Sequence, residues 1–281
     1  MSNEIMVKSG LAQACGAALY YEIAGEGPAL VLIHAGLADH RMYDDQFLFL
    51  ARYCRVVRYD LHGFGRSGWP ARDYSHYEAL RELLAELRIE HATLLGMSLG
   101  GGIALDFALS YPQMVDGLLL VAAGIGGFPQ SQQSRELFAP ALEAFAAGDF
   151  TRGIDRMLQI WVVGPRRNPE DLDPTIRTRL RTLYTDVLLR TREGGRPPGA
   201  LEPSAFTRLA EIQAPSLVVV GSGDIPEILE QADLLARTIP NARKVVFPRV
   251  AHLLNMEIPE EFNRLVVDFV AENGTEIVGT S

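Results

Sequence analysis

Long apolar runs are missing from this 281-residue chain. No stretch reaches the roughly 18 apolar residues that a membrane-crossing helix needs, so no membrane span or membrane partner is expected. Cysteine is scarce: Cys15 and Cys54 are the only two, and they lack the spacing of a CxxC pair. A disulfide scaffold is therefore not implied. Positive charge is in deficit, with 26 Lys and Arg against 35 Asp and Glu and a formal charge of −9. That balance disfavours polyanions, and no nucleic-acid partner is expected. The first residues, MSNEIMVKSG, hold no apolar run long enough for a secretory signal, so a cytoplasmic protein is expected. Repeats and low-complexity segments are absent as well. What is present is an ordinary folded composition, 48% apolar and 22% charged, in a chain long enough for one large α/β domain or for a core domain carrying an inserted lid.

Strand-like and helix-like runs alternate at both ends of the chain. Apolar strands are predicted at Ala17–Ile23, Ala29–His34, Arg55–Tyr59, Thr93–Gly96 and Gly117–Ala122, then again at Ser216–Val220 and Lys244–Phe247. Helices are predicted around Met42–Ala51, over Tyr77–Leu87, from the glycines after Ser98 to Ser110, and over Pro226–Thr238 and Pro259–Glu272. Runs such as ALVLIH are apolar throughout, as in a strand covered on both faces. The fold class expected is α/β, a mostly parallel sheet with helices on both faces. Residues 126–210 break the rhythm. They read as helices at Arg135–Ala147, Ile154–Val162 and Pro174–Arg190, with a loop over 193–199. The organisation expected is a core of residues 1–125 and 211–281 with a helical cap inserted at 126–210.

Chemistry enters at Gly96-Met97-Ser98-Leu99-Gly100. This G-x-S-x-G pattern lies between an apolar strand and a glycine-rich helix start, the setting of a nucleophile elbow. Glycines two positions either side let neighbouring elements approach a sharply turned serine. The plain alternative is a glycine-rich turn in which Ser98 only caps the helix.

A serine hydroxyl needs a neighbouring imidazole to take its proton. Of six histidines, only His252 follows the last strand, in a loop at the sheet edge expected to carry Ser98. Asp224 lies on the loop Gly221-Ser222-Gly223-Asp224-Ile225-Pro226 after another strand, where a carboxylate could fix the imidazole tautomer. A cap on the following helix is the alternative for Asp224, and an ordinary loop residue the alternative for His252. The segment Ala122–Phe128, a rival place for the acid, contains no carboxylate. Donors for a tetrahedral oxyanion are expected from the amides of Leu99 and Gly36, with Leu37 as the other register.

These segments, VLIHAGLADHRMYDDQ, RVVRYDLHGFGRSG, LLGMSLGGGIAL, VVVGSGDIPE and VAHLLNMEIPEEFNRLVVDF, resemble the α/β-hydrolase fold enzymes. They are most similar to a bacterial group of esterases, 3-oxoadipate enol-lactonases and cofactor-free haloperoxidase-like perhydrolases. The resemblance covers about residues 16–122 and 211–272 and is weak in the cap. It departs from the common pattern at Ala35, where glycine is usual, and at His62, where arginine is usual. It implies the triad order Ser98, Asp224, His252, and a structural turn role for Asp60. Ser98 stands where haloalkane dehalogenases and epoxide hydrolases carry an aspartate nucleophile. No metal and no organic cofactor are expected.

The function expected is hydrolysis of a small carboxylic ester or lactone through an acyl-enzyme. The alternatives are carbon–carbon bond hydrolysis of a diketone-type substrate by the same triad, and a slow-turnover ligand receptor. Phe128, Phe138, Met157 and Trp161 of the cap, together with Leu37, are the candidate substrate-binding residues. Phe145 is a further aromatic of the cap. Ile154, Met157, Leu158 and Trp161 also fit a cap's own packing stripe. Arg152, Arg156, Arg166 and Arg167 read as solvated helix charges rather than anion binders. The expected partner is a small-molecule ester or lactone; a homo-oligomer is not indicated.

Overall fold

The computed structural model describes residues 5–191 and 194–273. Residues 1–4 and 274–281 of the expected core, and Glu193 at the start of the expected loop, lie outside the described residues.

Eight strands form one sheet: β1 (Val7–Ala14), β2 (Ala17–Ala24), β3 (Ala29–Ile33), β4 (Arg55–Tyr59), β5 (Ala92–Met97), β6 (Val115–Val121), β7 (Ser216–Gly221) and β8 (Ala242–Phe247). Their order is β1-β2-β4-β3-β5-β6-β7-β8. β1 pairs antiparallel with β2 and β2 antiparallel with β4, while every other pairing is parallel. β5 and β7 are buried at every position, which requires cover on both faces. Seven strands lie where the apolar runs predict them. β1 is an addition: its VKSGLAQA is mostly exposed, and such an edge strand carries no continuous apolar signal.

The helices are α1 (Asp44–Leu50), α2 (His76–Glu86), α3 (Leu99–Ser110), α4 (Gln132–Ala146), α5 (Phe150–Leu158), α6 (Pro174–Thr191), α7 (Pro226–Thr238), α8 (Leu254–Glu257) and α9 (Pro259–Glu272). α2 begins with Ser75 accepting from the Glu78 amide, an N-cap that starts the helix at His76. α1 packs on α9, and α2 on α3. The expected helix over Ile154–Val162 is α5 plus a π turn at Gln159–Val163, which ends at Gly164 with φ 95°. Between β6 and β7 the described residues hold α4, α5 and α6 and no strand. Ion pairs tie this helical stretch to the sheet domain: Arg41 with Asp186 (2.7 Å), Arg179 with Asp45 (2.6 Å) and Arg167 with Glu257 (2.8 Å). Among the described residues no helix is long and apolar enough to cross a membrane.

The chain leaves β3 toward β4 and later returns to β5 on β3's other side. The gap opened where strand order reverses is where open α/β sheets bind ligands. The registers align the strand ends there: Ile33 faces Gly96, Met97 faces Val121, and Gly221 faces Phe247. The loops that follow β3, β5, β6, β7 and β8 therefore leave from one edge of the sheet.

Candidate active site

Ser98 sits between β5 and α3 with φ 54° and ψ −112°, a conformation that non-glycine residues adopt only under constraint. Four backbone hydrogen bonds supply that constraint. The Ser98 N–H donates to Val121 O (3.0 Å), and its carbonyl accepts from Gly101, Gly102 and Gly124 (3.0, 3.2 and 3.1 Å). The flanking glycines are needed for closeness. A Cβ at Gly96 would lie on the Gly100 carbonyl, and one at Gly100 on the Ile33 carbonyl. Strand, turn and helix thus close tightly enough to hold a strained serine at the sheet edge.

Asp224 and His252 are brought together and fully buried. Asp224 Oδ2 lies 2.8 Å from His252 Nδ1, and its Oδ1 accepts from the Ile225 amide at 2.7 Å. The carboxylate fixes the tautomer: Nδ1 carries the hydrogen, leaving Nε2 as the basic nitrogen. Nε2 is buried and has no hydrogen-bond partner among the described residues, Ser98 Oγ included. The two loops are joined by backbone and side-chain bonds. Gly223 N–H donates to Val250 O (2.8 Å), and Arg249 N–H donates to Ser222 Oγ (2.9 Å). Glu257 accepts from the Ala251 amide at 2.9 Å and is itself paired with Arg167. The indole of Trp161, on the π turn after α5, packs against the imidazole at a tilt of 45°, with ring centroids 4.3 Å apart.

Leu99 is the first residue of α3, and the opening amides of a helix have no carbonyl one turn back to bond. Gly36, on the loop after β3, lies against it: a Cβ there would stand 3.4 Å from Leu99 Cδ2. Leu37 is buried beside them.

Ser98 and Leu99 line a cavity of about 350 Å³ whose other walls come from α2, α3 and the loops at 124–126 and 198–200. His76 and Asp106 lie on those walls; His76 is one of the six histidines weighed as the base, whereas Asp106 is not among the expected site residues. The available signal was Asp106 itself, the one charged residue in the otherwise apolar and small-residue helix LGGGIALDFALS. None of the five candidate substrate-binding residues lines this cavity. Trp161 packs tilted against His252, and Phe138 packs tilted against Trp161 with centroids 5.3 Å apart. Phe128 meets Phe206 edge-on at 5.5 Å, while Met157 packs half-buried against the core. A larger hollow of about 650 Å³ near Met6, Ile23, Glu26 and Arg52 contains no nucleophile–base pair.

The other histidines are accounted for differently. His34 Nε2 accepts from the Leu61 amide (3.0 Å), so Nδ1 carries the hydrogen and donates to Ala35 O (2.9 Å). Burial pushes its pKa down, holding it neutral. His62 lies edge-on to Tyr74, with Nδ1 3.2 Å from Gly68 O. Asp60 accepts from the amides of His40 and Arg66 (2.9 and 2.8 Å) and lies 2.6 Å from His40 Nδ1. Asp39, His40 and Asp60 bring three potential metal-ligating atoms within 4.8 Å of one another. Their atoms are already engaged, Asp39 by the Arg41 guanidinium at 2.6 Å and Asp60 by His40 and Arg66. Of Arg152, Arg156, Arg166 and Arg167, Arg167 pairs with Glu257, Arg166 donates to Ser222 O, and Arg152 and Arg156 are exposed.

Comparison with known proteins fits this architecture. A hydrolase of Burkholderia vietnamiensis acting on 2-hydroxy-6-oxononadienedioate and 2-hydroxy-6-oxononatrienedioate is 31% identical over 266 residues, covering 90% of both chains. An uncharacterised protein of Mycobacterium tuberculosis is 44% identical, but over only 108 residues. That alignment spans 37% of this chain and 31% of the mycobacterial protein, about a third of its length. Among solved structures, the N-acyl homoserine lactone degrading enzyme Est816 superposes with a TM-score of 0.74 at 28% identity, covering 92% of this chain and all of its own. The model of the alpha/beta hydrolase family matches residues 30–265. With its sheet order and serine elbow, the chain belongs to the alpha/beta hydrolase family.

Proposed function

We propose that the protein is a serine hydrolase that cleaves a small carboxylic ester or lactone through an acyl-enzyme. One observation carries this reading: a strained, four-fold pinned Ser98 stands on the same sheet edge as a buried Asp224–His252 pair whose Nε2 is unpartnered. In this reading Ser98 Oγ attacks the carbonyl carbon while His252 Nε2 takes its proton. Asp224 holds the imidazole and stabilises the imidazolium that forms. The amides of Leu99 and Gly36 receive the developing oxyanion. Collapse of the intermediate expels the alcohol, which takes the proton from His252. Water then repeats the attack and releases the acid. No step calls for a metal or an organic cofactor.

The helical stretch of residues 126–210 serves as a cap in this account. It contributes Trp161, whose ring packs tilted against the imidazole, and the 198–200 loop on the wall of the Ser98 cavity.

A second reading, carbon–carbon bond hydrolysis by the same triad, is favoured by the 31% identity with the Burkholderia vietnamiensis hydrolase. The lactone-degrading Est816 supports the first. A substrate panel separates them: p-nitrophenyl esters and simple lactones against a ring-cleavage dienoate. Fast turnover of esters or lactones with little dienoate cleavage supports the first reading, and the reverse supports the second.

A further inference from the structure

Asp106 lies two turns into α3, on the stripe Leu99, Gly102, Ile103 and Asp106 that lines the Ser98 cavity. Its Oδ1 is buried and has no hydrogen-bond partner among the described residues. A carboxylate on a helix normally caps, pairs or faces water, because burying an unpaired acceptor is costly. Burial pushes this carboxyl up to about 6. On the cavity wall supplied by α2 is His76, 8% exposed, with Nδ1 also unpartnered among the described residues. Burial, with His62 and His34 nearby, pushes His76 down to about 3, so it carries no charge at neutral pH. Among the described residues no Lys or Arg lines the cavity. The site therefore offers an acidic acceptor with no cation beside it.

We propose that Asp106 is a specificity-determining residue that accepts a hydrogen bond from an O–H or N–H group on the distal part of an uncharged substrate and rejects substrates bearing a carboxylate there. The inference rests on the serine-hydrolase reading and names the substrate class for it. From Ser98 to Asp106 the helix rises about 12 Å, so the recognised group belongs at the far end of the substrate rather than beside the scissile carbonyl. A terminal carboxylate would face the Asp106 charge in a desolvated pocket, where like charges repel strongly. A hydroxyl or amide would instead supply the donor that Oδ1 lacks.

The test uses three p-nitrophenyl esters with matched six-carbon acyl chains: plain hexanoate, 6-hydroxyhexanoate and the 5-carboxypentanoate. kcat/KM is measured on the wild type, Asp106→Asn and Asp106→Leu, and ratios within each protein cancel changes in overall activity. The wild type is expected to favour the hydroxy over the carboxy ester by about tenfold or more, the size of a hydrogen bond to a charged group. Asp106→Asn should relax the rejection of the carboxy ester, and Asp106→Leu should also remove the hydroxy preference over hexanoate. Below about pH 6 the wild-type discrimination should weaken as Asp106 takes up a proton. The other titratable groups on the cavity walls are His76 and Tyr77 on α2, and the loops at 124–126 and 198–200 add none. Equal ratios in all three proteins would overturn the proposal. Calorimetric titration with 6-hydroxyhexanamide and with adipamate reads recognition without turnover. If no ester is hydrolysed yet the hydroxyamide binds more tightly in an Asp106-dependent way, the hydrolase reading fails and this one stands. If the two amides bind alike to all three proteins, this one fails.

Discussion

His252 Nδ1 lies 2.8 Å from Asp224 Oδ2, and both side chains are sealed from solvent while the other imidazole nitrogen has no partner among the described residues. A buried imidazole is normally satisfied at both nitrogens, since an unmade hydrogen bond in the interior costs about 1–3 kcal/mol. Here one nitrogen is held and the other is buried without a partner among the described residues; in the proposed mechanism it is the one that takes the serine proton.

Asp224→Asn should leave the fold intact and impair the chemistry. The amide can still face Nδ1, but it can no longer enforce the tautomer or stabilise an imidazolium. Ester kcat should fall on the order of 10⁴-fold, as in other Ser-His-Asp triads. Steady-state kinetics check this; a loss below about tenfold would remove Asp224 from the machinery.

Ser98→Gly should destroy activity and stabilise the protein. At φ 54° and ψ −112° the serine backbone is strained, and glycine adopts such angles far more readily. Relief is worth on the order of 1–3 kcal/mol, against a smaller penalty from glycine's freedom in the unfolded chain. Urea denaturation measures the balance. A destabilised variant would mean that the serine is not held under strain.

Stability should decline as pH falls below about 6.5. His34, His62 and His76 are all pushed below the ordinary imidazole value, chiefly by burial. Below about 6.5 the unfolded chain binds protons that the folded protein refuses, so stability is full above that pH and lost beneath it. For His76 the window extends down to about 3. Asp106 acts in the opposite sense, because its raised carboxyl weakens the fold above about 6 and ceases to do so toward 3.8. Asp106→Asn should therefore raise the urea midpoint at pH 7.5 and leave it nearly unchanged at pH 3.5. A midpoint raised equally at both pH values would contradict this.

The buried strands were legible because a strand covered on both faces must be apolar at every position, as LVVV at 217–220 is. β1 was not, since its partly exposed VKSGLAQA carries polar side chains and a glycine. The serine elbow could be read from its glycines, because close approach of β5 and α3 leaves no room for Cβ. The pairing of Asp224 with His252 followed from two loops leaving adjacent parallel strands at the same end. The cavity walls were less legible. Leu37 and the aromatic residues of the helical stretch suggest a pocket by composition alone, yet pairwise ring packing absorbs Phe128, Phe138 and Trp161. Asp106 and His76 meet only through the packing of α2 on α3, a tertiary relation with no local signature.

The central claim, that Ser98 is the nucleophile activated by His252, is tested most directly by a fluorophosphonate probe with mass-spectrometric mapping of the adduct. The account predicts one adduct, on the peptide carrying Ser98, that is abolished in Ser98→Ala and strongly slowed in His252→Ala. Labelling of another residue, or undiminished labelling of Ser98→Ala, would contradict it.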